Sequence, residues 1–257
     1  MTALAVSTGA ALYLDLLKRT LTGMVYEDPP VPVPWDPRHD FDEARRRVGV
    51  DWPSRAHTMI GVRRLDNIQY CAEQVLADDI PGDFLEAGVW RGGACIFMRA
   101  VLEAHGVRDR AVWVADSFLG LPQNEVRQDD RRFANDVQPD QAYLAVSRQQ
   151  VEHNFSLYGL LDDQVRFLEG WFSDTLPAAP VKRLAVLRMD GDLYSSITDT
   201  LVNLYPKLEP GGFCLIDDYH SIPNCTAAVN DYRAAEGIRE PICEVEGYGV
   251  FWRREMP

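Results

Sequence analysis

Phe84-Leu-Glu-Ala-Gly88-Val-Trp-Arg-Gly92-Gly93-Ala94 reads as the end of a buried strand that runs through a tight turn into a helix. Glycines at such a turn let the backbone approach a ligand closely, with a helix N-terminus beneath it. The spacing is Gly-x-x-x-Gly-Gly with an acid, Glu86, ahead of the first glycine. It is therefore not the Gly-x-Gly-x-x-Gly dinucleotide fingerprint, and this disfavours an NAD-dependent dehydrogenase. A second acid, Asp116, closes the next strand in Trp113-Val-Ala-Asp-Ser117. A carboxylate there can accept hydrogen bonds from both hydroxyls of a ribose. Each motif alone reads equally well as a turn or a capping Asp; the two in this order favour an adenosyl ligand.

Outward from that turn the chain alternates. Short apolar runs at Phe84–Ala87, Ala111–Ala115, Val165–Leu168, Leu184–Met189 and Phe213–Ile216 are separated by helix-like segments, among them Ala94–His105, Val151–Tyr158 and Ser195–Leu204. Strands separated by helices imply right-handed βαβ crossovers and a parallel sheet, so the fold class is α/β. The C-terminus breaks the pattern: Ile242–Glu246 and Val250–Arg253 flank Gly247-Tyr-Gly249, which predicts an antiparallel hairpin. By analogy, a parallel sheet finished by such a hairpin is the Rossmann-like sheet of class I S-adenosylmethionine (SAM) methyltransferases.

Residues 1–56 read as an N-terminal helical arm or lid and 57–257 as the catalytic domain. In the arm, Leu12, Leu16, Leu17 and Leu21 recur at helical spacing, with Lys18 and Arg19 between them. Asp28-Pro-Pro-Val-Pro-Val-Pro-Trp-Asp-Pro37 lacks too many amide donors to be a helix or a central strand. The run Arg45, Arg46, Arg47 reads as a solvated helix face. A helix from Met59 to Ala77 follows, with Leu65, Ile68, Val75 and Leu76 inward. An apolar arm of this kind suits either a cover over the site or a contact between subunits, so a homo-oligomer, dimer or tetramer, is expected.

With 257 residues, 46% of them hydrophobic, the chain can bury a full core. A formal charge of −13 argues against nucleic acid, whose phosphates call for a basic footprint. The five cysteines (Cys71, Cys95, Cys214, Cys225, Cys243) include no Cys-x-x-Cys pair and are expected to be reduced thiols. No run approaches the length of a membrane span, so a cytoplasmic protein without a membrane partner is expected.

Acids gather at the ends of the last two parallel strands, as Met189-Asp190-Gly-Asp192 and Ile216-Asp217-Asp218-Tyr219. Ligands bind outside the carboxyl ends of such strands. Carboxylates converging there without Lys or Arg nearby would repel one another, and a divalent cation with all-oxygen ligation, Mg²⁺ or Ca²⁺, relieves that repulsion. One of Asp190 and Asp192 is a candidate ligand and the other a base, with His220 as a rival base. An aromatic just beyond a strand, as in Leu168-Glu-Gly-Trp171, is placed to stack on adenine.

Ala56-His-Thr-Met-Ile-Gly61, Gly88-Val-Trp-Arg-Gly-Gly93, Val112-Trp-Val-Ala-Asp-Ser-Phe118, Tyr158-Gly-Leu-Leu-Asp-Asp-Gln-Val-Arg-Phe167, Arg188-Met-Asp-Gly-Asp192 and Ile216-Asp-Asp-Tyr219 resemble the macrocin O-methyltransferase family over roughly residues 10–254. Tyr26-Glu-Asp-Pro-Pro30 and Asp51-Trp-Pro-Ser54 resemble its noviose-methylating aminocoumarin branch more than its macrolide branch. The resemblance implies methylation of a deoxysugar hydroxyl, rhamnose-like or noviose-like, on a small-molecule glycoside or nucleotide-activated sugar of antibiotic biosynthesis. It implies Mg²⁺ on Asp190, Asp217 and Asp218 and general base Asp192. For SAM it implies contacts from Met59, Glu86, Gly88, Val89, Trp90, Gly93, Asp116, Ser117, Trp171 and Asp190. Relatives often carry Thr at Ala87. His220 and the stretch Val126–Gln141, which is polar and acidic, match them poorly. Asp190-Gly-Asp192 is also the D-x-D of metal-dependent glycosyltransferases, but in that reading Glu86 and Asp116 have no purpose.

Overall fold

The computed structural model describes residues 8–34, 36–122, 130–131 and 141–255. A single sheet has strands β1 (Asp83–Ala87), β2 (Val112–Asp116), β3 (Val165–Glu169), β4 (Leu184–Met189), β5 (Leu208–Ile216), β6 (Cys243–Glu244) and β7 (Val250–Arg253) in the order β3-β2-β1-β4-β5-β7-β6. Neighbours among β3, β2, β1, β4 and β5 pair in parallel and β7 runs antiparallel to β5 and β6, so the α/β sheet and its terminal hairpin are as the sequence implies. The chain winds outward from β1 to β3, then returns to build β4 and β5 on β1's other side. That reversal makes the β1/β4 boundary the topological switch point, where a crevice opens at the carboxyl ends.

Period-two alternation sorts the strand residues onto two faces. Phe84, Val186, Phe213 and Leu215 share a core with α1 (Thr8–Leu21), α3 (Gly61–Ala77), α4 (Gly93–Ala104) and α5 (Arg148–Leu157). Leu85, Ala87, Leu187, Met189 and Ile216 pack instead against the helices Tyr194–Leu204 (α6) and Pro223–Ala235 (α7). β4 is buried along its whole length, as a central parallel strand must be. Its one charged residue, Arg188, shares the first face with Glu86, its register partner on β1.

The N-terminal segment departs from two expectations. On α1 the inward residues are Leu14, Leu17 and Leu21, which join the core with α4, while Leu12 and Leu16 are exposed. Arg46 is not part of a solvated face. On α2 (Glu43–Val48) it is fully buried, bonded to the Asp51 carboxylate at 2.9 Å and to the carbonyls of Thr22 and Asp28 at 2.7 Å. Carbonyls just past α1 and at the start of the proline-rich stretch need donors, and one guanidinium supplies them. The proline stretch carries only isolated bridges, Pro30 to Pro53 and Val33 to Asp36, among its described residues. Among the described residues no helix is long and apolar enough to cross a membrane. Apart from Asp130, Arg131 and the backbone of Gln141, the stretch Val126–Gln141 lies outside the described residues.

Candidate active site at the carboxyl ends of β1, β4 and β5

The ladder continues past the strands and carries the acids into place. Asp190 donates its amide to the Ala87 carbonyl at 2.8 Å, and Asp217 donates to that of Met189 at 2.9 Å. Three residues other than glycine adopt left-handed backbone just beyond strand ends: Trp90 after β1, Phe118 after β2 and Asp192 after β4. Such conformations cost about 1–3 kcal/mol each and cluster where function over-determines the backbone.

The glycine turn is explained by the protein itself. A Cβ on Gly88, at φ 87°, would lie 1.8 Å from the Asp190 carbonyl oxygen; one on Gly93 would lie 2.3 Å from the His57 carbonyl. Close approach is required, but by neighbouring backbone before any ligand. Gly93 donates to that His57 carbonyl at 3.0 Å, which brings half-buried Met59 to the same loop. Asp116 accepts from the amides of Val89 and Phe118 at 2.7 Å each, locking the two loops together. Burial raises its pKa against those hydrogen bonds. Ser117 turns into its own loop and donates to Gly120 at 2.8 Å. The Trp90 indole donates to the Tyr143 carbonyl at 2.9 Å. Trp171 stands beyond β3 with 37% of its surface exposed, beside Gly170, whose amide bonds the Asp116 carbonyl at 2.9 Å. This is where an adenine could stack.

The acidic cluster differs from the sequence reading in one premise. Arginines are present. Arg188, buried to 2% exposure, donates to Glu86, to Asp217 and, at 3.1 Å, to Asp190. Arg64 of α3 donates to the other oxygen of Asp217 and holds the carbonyls of Gly49 and Ile60 at 2.8 Å. Glu86 also accepts from the Cys95 thiol at 2.9 Å and is 1% exposed, so it lies beneath the loop rather than facing the crevice.

Asp190, Asp192 and Asp218 each present a carboxylate oxygen within 4.8 Å of the others. Asp217, expected among the metal ligands, is outside this set, and both its oxygens accept from guanidiniums. Five carboxylates thus meet two guanidiniums, an excess of negative charge in a poorly solvated place. Burial, and then repulsion from Asp190, raises Asp192 to about 7. Burial followed by the neighbouring aspartates raises Asp190 and Asp218 well above the usual carboxylate range. Asp218 Oδ2 is buried with no donor among the described residues. A closely spaced all-oxygen set with an orphaned buried acceptor fits a hard divalent cation.

His220 points elsewhere. Its Nε2 lies 2.5 Å from Glu244 on the exposed hairpin. Three positions were missed by the sequence reading: Arg64, Arg188 and Asp130. Asp130 is buried and accepts from the Ser195 amide at 2.8 Å and hydroxyl at 2.7 Å, capping α6 directly after Asp192. Only Arg188 carries a local signal, a charge inside an apolar strand; the other two depend on contacts distant in sequence.

Known proteins match this chain in fold and over most of its length. A family profile described as Macrocin-O-methyltransferase (TylF) matches residues 32–254. The chain is 58% identical to 8-demethyl-8-(2,3-dimethoxy-alpha-L-rhamnosyl)-tetracenomycin-C 4'-O-methyltransferase of Streptomyces olivaceus, over 94% of this chain and 92% of that protein. It is 53% identical to mycinamicin III 3''-O-methyltransferase of Micromonospora griseorubida, over 96% and 98% of the two chains. The solved structure of the O-methyltransferase NovP is 51% identical, superposes with a TM-score of 0.89, and is covered over 96% of this chain and 100% of its own. The chain belongs to the macrocin O-methyltransferase (TylF) family, with its Rossmann-like methyltransferase fold.

Proposed function

We propose that this O-methyltransferase moves the methyl group of SAM to a hydroxyl of a deoxysugar, rhamnose-like or noviose-like, on a small-molecule glycoside or nucleotide-activated sugar. The relatives' names, one a rhamnosyl-tetracenomycin methyltransferase, support a sugar-bearing acceptor. The observation that carries the chemistry is the convergence of Asp190, Asp192 and Asp218 beside the β1/β4 crevice. Asp190 and Asp218 would hold Mg²⁺, with Asp217 as the third ligand, a role that requires one of its oxygens to turn from its arginine toward the other two aspartates. When bound, the cation lowers the pKa of a coordinated hydroxyl. Asp192 would take the proton as the hydroxyl oxygen bonds to the methyl carbon, whose bond to the sulfonium sulfur breaks to release the neutral thioether of S-adenosylhomocysteine. The glycine loop and Asp116 would hold the adenosyl end, and Trp171 would offer its ring to the adenine. His220, engaged with Glu244, stands outside this chemistry.

The 4.8 Å grouping also favours a second reading, in which Asp192 is a ligand in place of Asp217. Mn²⁺ binding followed by electron paramagnetic resonance separates the two. Asp217→Asn should weaken Mn²⁺ and Asp192→Asn should spare it; the reverse pattern selects the second reading. A wild-type chain that binds no divalent cation contradicts both. We also propose a homo-oligomer, since Leu12, Leu16 and Tyr26 expose 67%, 58% and 62% of their surface near one another in sequence. A monomer by light scattering would refute that.

A further inference from the structure

We infer that Arg188 is a positioning residue whose one guanidinium sets both the cofactor loop and the acidic cluster, so that binding of an adenosyl ligand and of a divalent cation both depend on it. Arg188 lies on β4 next to Glu86 of β1, and its fork reaches carboxylates on three adjacent strand ends. Nη1 serves Glu86 and Asp190, while Nη2 serves Asp217. Two residues beyond Glu86, Gly88 turns the loop against the Asp190 backbone. The same loop gives its Val89 amide to Asp116. A shift of Glu86 is therefore passed to the loop, and a shift of Asp217 or Asp190 to the cluster.

Stability does not require such a group, because a buried ion network gives little or no net stabilisation over well-packed apolar side chains. Its geometry does explain it. A planar fork can hold carboxylates on both sides at fixed spacing, whereas a lysine ammonium is a point charge on a flexible stem. Arg64 adds the second restraint on Asp217, but it is anchored to Gly49 and Ile60 and does not reach Glu86. Backbone contacts between Asp190 and the loop aside, Arg188 is the side chain that bonds carboxylates of both halves among the described residues.

The cation arm of this inference rests on the proposed metal site; the adenosyl arm does not. The test is Arg188→Lys, with S-adenosylhomocysteine binding measured by calorimetry in EDTA and Mn²⁺ binding by paramagnetic resonance. Circular dichroism and melting establish that the variant is folded. Loss of about tenfold or more is expected in both affinities, the size usual for residues supporting a metal site from behind. Arg99→Lys is the control, since Arg99 is equally buried but serves Asp162 and Glu103 away from the site. It should leave both affinities unchanged. If Arg188→Lys does not fold, Glu86→Gln/Arg188→Gln removes opposite charges together, leaves Arg64 on Asp217, and should show the same losses. Affinities within about twofold of wild type overturn the inference, as does a loss confined to Mn²⁺. If the wild-type chain itself binds no Mn²⁺, the metal reading falls, and the adenosyl affinity alone decides the role of Arg188.

Discussion

Ionising Asp192 should destabilise the metal-free protein, because burial and the neighbouring Asp190 raise its carboxyl to about 7 in the fold. In the unfolded chain it returns to about 3.9. The folded state therefore binds more protons between these values, and stability must fall as pH rises through them. Between about pH 5 and about pH 8.5 the full shift is worth about 2.7 kcal/mol; partial solvation of the group halves this to about 1.3. For a domain of this size that is a drop in melting temperature of about 3–5 °C. His57 acts in the opposite sense over this range. It is lowered to about 4 by burial and then by Arg91, so its contribution grows as pH rises through its unfolded value. The readout is accordingly the difference in melting temperature between wild type and Asp192→Asn, in EDTA, at the two pH values. His57 is present in both proteins and cancels, and Asn tolerates the left-handed backbone at this position. The wild type should lose about 3–5 °C relative to the variant on going to the higher pH, and excess Mg²⁺ should restore it. A difference that stays constant, or moves the other way, refutes the strained-cluster argument.

Gly88→Ala places a methyl group against the Asp190 carbonyl on left-handed backbone, and should cost at least about 3 kcal/mol in urea unfolding or prevent folding. His220→Ala should leave kcat within about twofold, since the imidazole is occupied by Glu244 at the surface; a loss of about 10²-fold would move the base to His220. Arg46→Met leaves Asp51 and the Thr22 and Asp28 carbonyls unpaired in the interior, and a loss of about 3–5 kcal/mol is expected from the denaturation midpoint.

The sheet was legible because its strands are short apolar runs closed by Gly or Asp at one end. Asp116, Asp190 and Asp218 announce themselves as charges where apolar runs stop. Less legible was anything set by partners far along the chain. Arg46 looked like one of three equivalent surface arginines, and only the carbonyls of Thr22 and Asp28 single it out. Likewise, the two leucines exposed on α1 fit the helical spacing as well as Leu17 and Leu21 do; the outcome depends on how α1 meets α4. Asp217 and Asp218 are adjacent in sequence yet differ completely in surroundings, one clamped by Arg64 and Arg188 and the other facing Asp190 and Asp192. Successive residues at a strand end point to opposite sides, so the pair reads alike in sequence while its two carboxylates meet different partners in the fold.

Methyl transfer itself is the most direct test. Enzyme stripped with EDTA should transfer no label from methyl-labelled SAM to a rhamnosyl or noviosyl glycoside, and Mg²⁺ should restore transfer to the sugar hydroxyl. Full transfer without any divalent cation, or labelled product carrying its methyl group away from the sugar, would contradict the account.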